Sequence, residues 1–176
     1  KLTIPTVSAM GTNYKSVKVS WNKISGASNY RIWRATSENG DYELLKQVEG
    51  GNTRSYIDTT CTLGKQYWYR VYARGTAANG KPIRSTGSKP VAAKAVLPAP
   101  SFSVTSVDYR TNKVSWKKVS GASGYRIYRA TSKNGKYSKV KTITSSSTTS
   151  WNNTGLKAGK AYYYKHTETG AEVVFL

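Results

Sequence analysis

The chain has 176 residues, with 28 Lys and Arg against 8 Asp and Glu, a formal net charge of +20, one His and one Cys. One cysteine excludes an intrachain disulfide framework and any cysteine-cluster metal site. No run of about 18 apolar residues exists to span a membrane. The opening KLTIPTVSAMG also lacks the apolar stretch of a signal peptide, so the sequence is expected to be mature or a fragment of something longer.

Helical patterns are almost absent, and strand patterns recur. VKVSW alternates, with Val17, Val19 and Trp21 on one side and Lys18 and Ser20 on the other. NYRIWR sets Tyr30 and Ile32 against Arg31 and Trp33. Asn39-Gly40 follows, a pair that tolerates positive φ in hairpin turns, and Asn79-Gly80 and Asn134-Gly135 repeat it. QYWYRVYA sets Tyr67, Tyr69, Val71 and Ala73 against Trp68, Arg70 and Tyr72. Asp58 reads as the cap of a turn, and Cys61 as a small hydrophobe in a core.

After Val91–Val96 the stretch LPAPS forms a short, stiff joint, and then the chain repeats itself. KVSWNKISGASNYRIWRATSENGDY (residues 18–42) and KVSWKKVSGASGYRIYRATSKNGKY (residues 113–137) agree at 19 of 25 positions. A shift of 95 residues, with no gap from Lys18 to Lys165, also lays Gly64-Lys65 on Gly159-Lys160 and Tyr67–Arg70 on Tyr162–Lys165. That period is the size of a small domain rather than of a solenoid repeat. Residues 1–96 hold 15 basic and 5 acidic residues, and residues 97–176 hold 13 and 3, so each copy carries the same excess. Such a field favours anionic partners; the alternative is that spread lysines only maintain solubility.

Short strands with turns between them point to an all-β fold, two tandem antiparallel sandwiches spanning residues 1–96 and 97–176. Each copy resembles a fibronectin type III domain, an immunoglobulin-like sandwich, in the lysine-rich SGASxYRIxRAT style of secreted and surface proteins of Gram-positive bacteria. The residues that carry the resemblance are Pro5 and Pro100, Trp21 and Trp116, Tyr30-x-Ile32 and Tyr125-x-Ile127, and the corners CTLGKQY and LKAGKAY ending in Tyr67 and Tyr162. The resemblance implies that these two tyrosines bond back to the backbone at their corners. It also implies a bacterial secreted or cell-wall-associated location, and partners that include other domains of the same polypeptide. The second copy departs after Lys165, where HTETGAEVVFL replaces a longer first-copy segment. Either Thr167–Gly170 form a turn and Ala171–Leu176 a brief, atypical last strand, or the domain is shortened there.

Convergent acids, bases or nucleophiles are not evident, so no catalytic, metal or cofactor site is expected. His166 occurs in one copy only. In the first copy ARGTAANGKP places Thr76 where an integrin-binding motif would need Asp. The remaining candidate is a face. Arg31, Trp33, Trp68, Arg70 and Tyr72 alternate outward on strands that the resemblance makes neighbours, and Arg126, Tyr128, Tyr163 and Lys165 repeat it. Aromatic rings interleaved with cations can stack on sugar rings while pairing anionic groups; equally, the guanidinium groups can cover the rings for stability alone. Two readings follow: a non-catalytic extracellular spacer that presents neighbouring domains and adheres weakly, or a module binding a host glycoprotein, acidic polysaccharide or cell-wall polymer. No nucleic-acid-binding motif accompanies the charge, so no specific nucleic acid partner is expected.

Overall fold

A computed structural model describes residues 1–169 of the chain. The chain divides after Val96 into two compact units. The first holds β1 (Val7–Asn13), β2 (Ser16–Trp21), β3 (Asn29–Ala35), β4 (Glu43–Glu49), β5 (Ser55–Asp58), β6 (Gln66–Thr76), β7 (Pro82–Arg84) and β8 (Val91–Lys94). One sheet runs β1-β2-β5. The other runs β4-β3-β6-β7, with β8 also pairing β6, and every ladder between strands is antiparallel. The second unit holds β9 (Phe102–Asp108), β10 (Thr111–Trp116), β11 (Gly124–Ala130), β12 (Ser138–Ile143), β13 (Ser150–Asn153) and β14 (Tyr163–Thr169), in sheets β13-β10-β9 and β12-β11-β14.

The cores follow from the alternation. Val17, Val19 and Trp21 of β2 face Tyr30 and Ile32 of β3 and Tyr67, Tyr69, Val71 and Ala73 of β6, all buried. Trp21 and Tyr30 meet with ring centroids 5.3 Å apart, and Trp116 and Tyr125 repeat the pair at 5.2 Å. Tyr30 is wholly buried, and its hydroxyl earns its place by accepting from the Ile24 amide (3.1 Å) and donating to the Gly51 carbonyl (3.2 Å). Tyr125 does the same between Val119 and Ser146. Tyr30→Phe leaves the buried Ile24 N–H and the part-buried Gly51 C=O without that partner. It is expected to destabilise the first unit by about 1–3 kcal/mol, and an unchanged urea midpoint would refute this. The corner tyrosines also bond back to the backbone: the Tyr67 hydroxyl accepts from the Thr62 amide at 3.2 Å and that of Tyr162 from Lys157 at 3.1 Å.

Two expectations need correction. Gly40 and Gly135 do not take positive φ, unlike Gly80. The link between β3 and β4 is too long for a two-residue hairpin, and Gly40 serves instead to leave room for the Ser37 hydroxyl. Nor do Thr167–Thr169 form a turn: β14 runs through them in unbroken register with β11, Thr167 opposite Arg126 and Thr169 opposite Gly124. The strand expected over residues 171–176 lies outside the described residues.

The described residues of the two units differ at their first strands. Gly11 of β1 lies so close to the Lys94 carbonyl of β8 that a β-carbon there would collide with it. This approach, with Val96 N–H bonded to the Asn13 carbonyl at 3.1 Å, closes β1 onto β8. In the second unit the position equivalent to Gly11 is Ser106, since Ser106 pairs with Asn112 as Gly11 pairs with Val17. Every residue of β9 is exposed, whereas β1 alternates.

Candidate binding face

The bonding of β3 to β6 fixes the face row by row. Arg31 is opposite Tyr72, Trp33 opposite Arg70, and Ala35 opposite Trp68. Residues two apart on a strand share a side, so all five candidates of the first unit lie on the outer surface of one sheet, and each is half-buried. In the second unit Tyr128 is opposite Lys165 and Ala130 opposite Tyr163, while Arg126 is opposite Thr167. The expected residues are thus brought together within each unit.

Their partners are another matter. Arg31 donates from Nε to Gln47 Oε1 at 2.7 Å, and Gln47 in turn donates to Glu49 at 2.7 Å. The Arg70 guanidinium lies 4.6 Å from the ring centre of Tyr42, and Lys165 lies 4.2 Å from that of Tyr137. Tyr42 and Tyr137 are equivalent residues in the two copies, so this cation–π contact is duplicated with the fold. They were not among the candidates, although their equivalence, with that of Arg70 and Lys165, was available as a signal. No cation covers the rings of Trp33 or Trp68 among the described residues. Trp33 instead meets Tyr72 with centroids 6.1 Å apart and planes inclined at 60°. Tyr72 rests on Gly87, where a β-carbon would lie 2.6 Å from its Cζ. Among the described residues the arginines therefore do not cover the tryptophans, and Trp33 and Tyr72 are not coplanar.

The one ion pair among the described residues sits elsewhere. Arg34 donates from Nη1 to Asp58 Oδ2 at 2.8 Å, with the Asp58 side chain wholly buried. The same oxygen accepts from the Tyr69 hydroxyl at 2.9 Å and lies 3.3 Å from Cys61 Sγ, while Oδ1 accepts from the amide (3.0 Å) and hydroxyl (2.7 Å) of Thr60. Burial alone would raise the Asp58 pKa, but the donated hydrogen bonds from Thr60, Arg34 and Tyr69 outweigh it and hold the carboxyl below its ordinary value. Burial pushes the Cys61 thiol and the Tyr69 phenol up, so neither ionises at neutral pH. The second unit keeps the shape with a neutral amide in place of the carboxylate: Arg129 donates to Asn153 Oδ1 at 3.3 Å, and Asn153 donates to the Tyr164 hydroxyl at 2.8 Å. The turn-capping role expected of Asp58 is present in its bonds to Thr60; the ion pair was missed, though Arg34/Arg129 and Asp58/Asn153 keep the same spacing in both copies. Among the described residues no group of three or more His, Cys, Asp or Glu is placed to hold a metal, and no helix is long and apolar enough to cross a membrane.

The fold is an all-β, immunoglobulin-like antiparallel sandwich, present twice. Its particular form is the fibronectin type III fold: a two-domain fibronectin type III segment of chicken tenascin is similar at a TM-score of 0.51 and 17% identity, over 95% of this chain and 91% of that one. A Fn3-like protein from Clostridium thermocellum is similar over 53% of this chain and 90% of its own, at 24% identity and a TM-score of 0.44. No family model matches the sequence. Among curated proteins, the tRNA nuclease WapA of Bacillus subtilis strain 168 is 29% identical over 155 residues, 84% of this chain and 6% of that protein. The human fibronectin type III domain-containing protein 7 is 33% identical over 165 residues, 92% of this chain and 20% of that protein. The chain thus spans a small part of either relative.

Proposed function

We propose that the chain is a non-catalytic spacer and interaction module of a larger secreted or surface protein of a bacterium, holding neighbouring domains apart and presenting them. The observation that carries this reading is the Asp58 network: among the described residues, the one place where acidic and basic side chains pair is buried, and each of its members bonds another. Side chains consumed in that way support a fold and leave none free for a reaction. The small share of WapA and of the human relative that the chain matches supports a role as one module among others, and the nuclease activity in the name of WapA is not carried over. The test is exchange. In the longer polypeptide, an unrelated tandem of two sandwiches of equal length is expected to preserve the activity of the neighbouring domains. Loss of activity on exchange, with both proteins folded, sinks the spacer reading.

A second reading rests on the open tryptophans. Trp33 and Trp68 lie half-buried on a basic sheet face with no cation over either ring among the described residues, which supports binding of a neutral or acidic glycan there.

A further inference from the structure

The first unit carries a pair of charges on that face which the described residues of the second do not. Arg74 of β6 and Arg84 of β7 are directly opposite one another in the ladder. Arg74 is two residues along β6 from Tyr72, so both arginines point to the side of the sheet that Arg31, Trp33 and Tyr72 occupy. Like charges directly opposite on neighbouring strands repel and destabilise the pairing. Neither arginine has a carboxylate within ion-pair distance, since Arg34–Asp58 is the one such pair among the described residues. The acid on the same cross-strand row, Glu49, stands opposite Asn29 and accepts from Gln47. Arg31, one row along, spends its Nε on Gln47, and its two terminal nitrogens make no hydrogen bond among the described residues. In the second unit the residue equivalent to Arg74 is Thr169, which continues the ladder opposite Gly124 as Arg74 does opposite Asn29.

From this arrangement we infer that Arg74, Arg84 and Arg31 form the anion-binding part of a site for an acidic polysaccharide, carboxylated or sulfated. The inference rests on the second reading above and gives it a ligand class and an anchor. Neighbouring strands are about 4.8 Å apart and alternate residues about 7 Å apart along a strand. Arg74 and Arg84 therefore converge on one anionic group, and Arg31 reaches a second one row away. Guanidinium groups suit both carboxylate and sulfate because their forked donors match paired oxygens. Tyr72, held in place over Gly87, stands in the row between the arginine pair and Trp33 and offers a ring face for the sugar. A run of nucleic acid bases would need successive parallel rings, and the 60° between Trp33 and Tyr72 denies them that.

The test measures binding of the intact chain to heparin, polygalacturonate, neutral dextran and single-stranded poly(dT) at about 0.15 M salt, where the Debye length is about 8 Å. Four proteins are compared: wild type, Arg74→Gln/Arg84→Gln, Trp33→Ala, and Lys18→Gln/Lys113→Gln, which removes equal charge from exposed positions on the other sheets. The wild type is expected to bind heparin or polygalacturonate; which of the two binds more tightly separates sulfate from carboxylate as the source of charge. The arginine variant should bind at least about tenfold more weakly, and the lysine variant within about twofold of wild type. Its thermal midpoint should be unchanged or raised, because the substitution relieves a repulsion. Equal losses in the arginine and lysine variants would reduce the effect to net charge and overturn the site. Tighter binding of poly(dT) than of either acidic polysaccharide would overturn the ligand class. If Trp33→Ala loses glycan binding while the arginine variant keeps it, the arginine anchor fails and the glycan-binding face survives. If wild type binds nothing, or no variant differs from it, both fail.

Discussion

Asp58→Ala is expected to cost the first unit about 3–5 kcal/mol, the usual penalty for breaking a buried pair and stranding its partners. That is a large share of the stability of a small domain. The substitution removes at once the acceptor of Arg34, Tyr69 and both Thr60 donors. Arg34 keeps some access to water, with 26% of its side chain exposed, but the Tyr69 hydroxyl is buried and has to rely on Cys61, 3.3 Å away. Asp58→Asn should cost much less, because the second unit already runs on asparagine. There the amide reverses one bond, donating to Tyr164 where Asp58 accepts from Tyr69. The carboxylate also makes a pH prediction whose sign is fixed. A carboxyl with a folded pKa below its unfolded value contributes stability fully above the unfolded value, and loses it as the pH falls through the folded one. The Asp58 carboxyl is held below its ordinary 3.8, so the first unit should begin to lose this contribution below about pH 4 and lose it further toward lower pH. Urea midpoints between pH 7 and 2.5 for wild type and Asp58→Asn provide the check. Equal acid sensitivity in the two proteins, or a loss under about 1 kcal/mol for alanine, would show that the carboxylate contributes little.

Alternation made most of the fold legible. Val17, Val19 and Trp21, and the Tyr–Ile and Tyr–Tyr–Val runs of β3 and β6, are buried as their period of two requires, because each strand has one face on the core. The same period put Arg31, Trp33, Arg70 and Tyr72 on one surface. It could not say what each would touch. A bulge in the β3–β4 ladder between Ile32 and Trp33 sets Lys46 opposite Ile32 and Leu44 opposite Trp33, with Gln47 left opposite Arg31. Tyr42 reaches Arg70 from the link before β4. Both outcomes depend on how separate segments meet, which local periodicity does not encode. Arg34 falls on the core side of the same alternation as Tyr30 and Ile32, and its buried carboxylate lies 24 residues away. The Asn-Gly pair at 39–40 shows the opposite error: a strong local turn signal was overridden by a longer link with its own Ser37 and Tyr42 contacts.

Amide exchange in the intact chain is expected to show weaker protection in the second unit, with Ile127 of β11 exchanging at least about thirtyfold faster than the equivalent Ile32 of β3. This corresponds to about 2 kcal/mol, near the value of burying one branched aliphatic side chain. The reason lies at the first strands. In the first unit Ala9 packs against the core and β8 lies along β1, with Gly11 making the close approach possible. The residue equivalent to Ala9 is Val104, larger and more apolar, yet it is 39% exposed, and Val107 is 58% exposed. A strand placed on β9 as β8 is placed on β1 would meet the side chain of Ser106. Among the described residues the second unit thus leaves apolar area of β9 on its surface, and it has the neutral Asn153 amide where the first has the Asp58 carboxylate. Ser106→Gly alone should not restore protection, because it clears the approach without adding a strand. Equal exchange at Ile32 and Ile127 would mean that β9 contributes little to the stability of its unit, and that β11 and β14 hold it without a covered first strand.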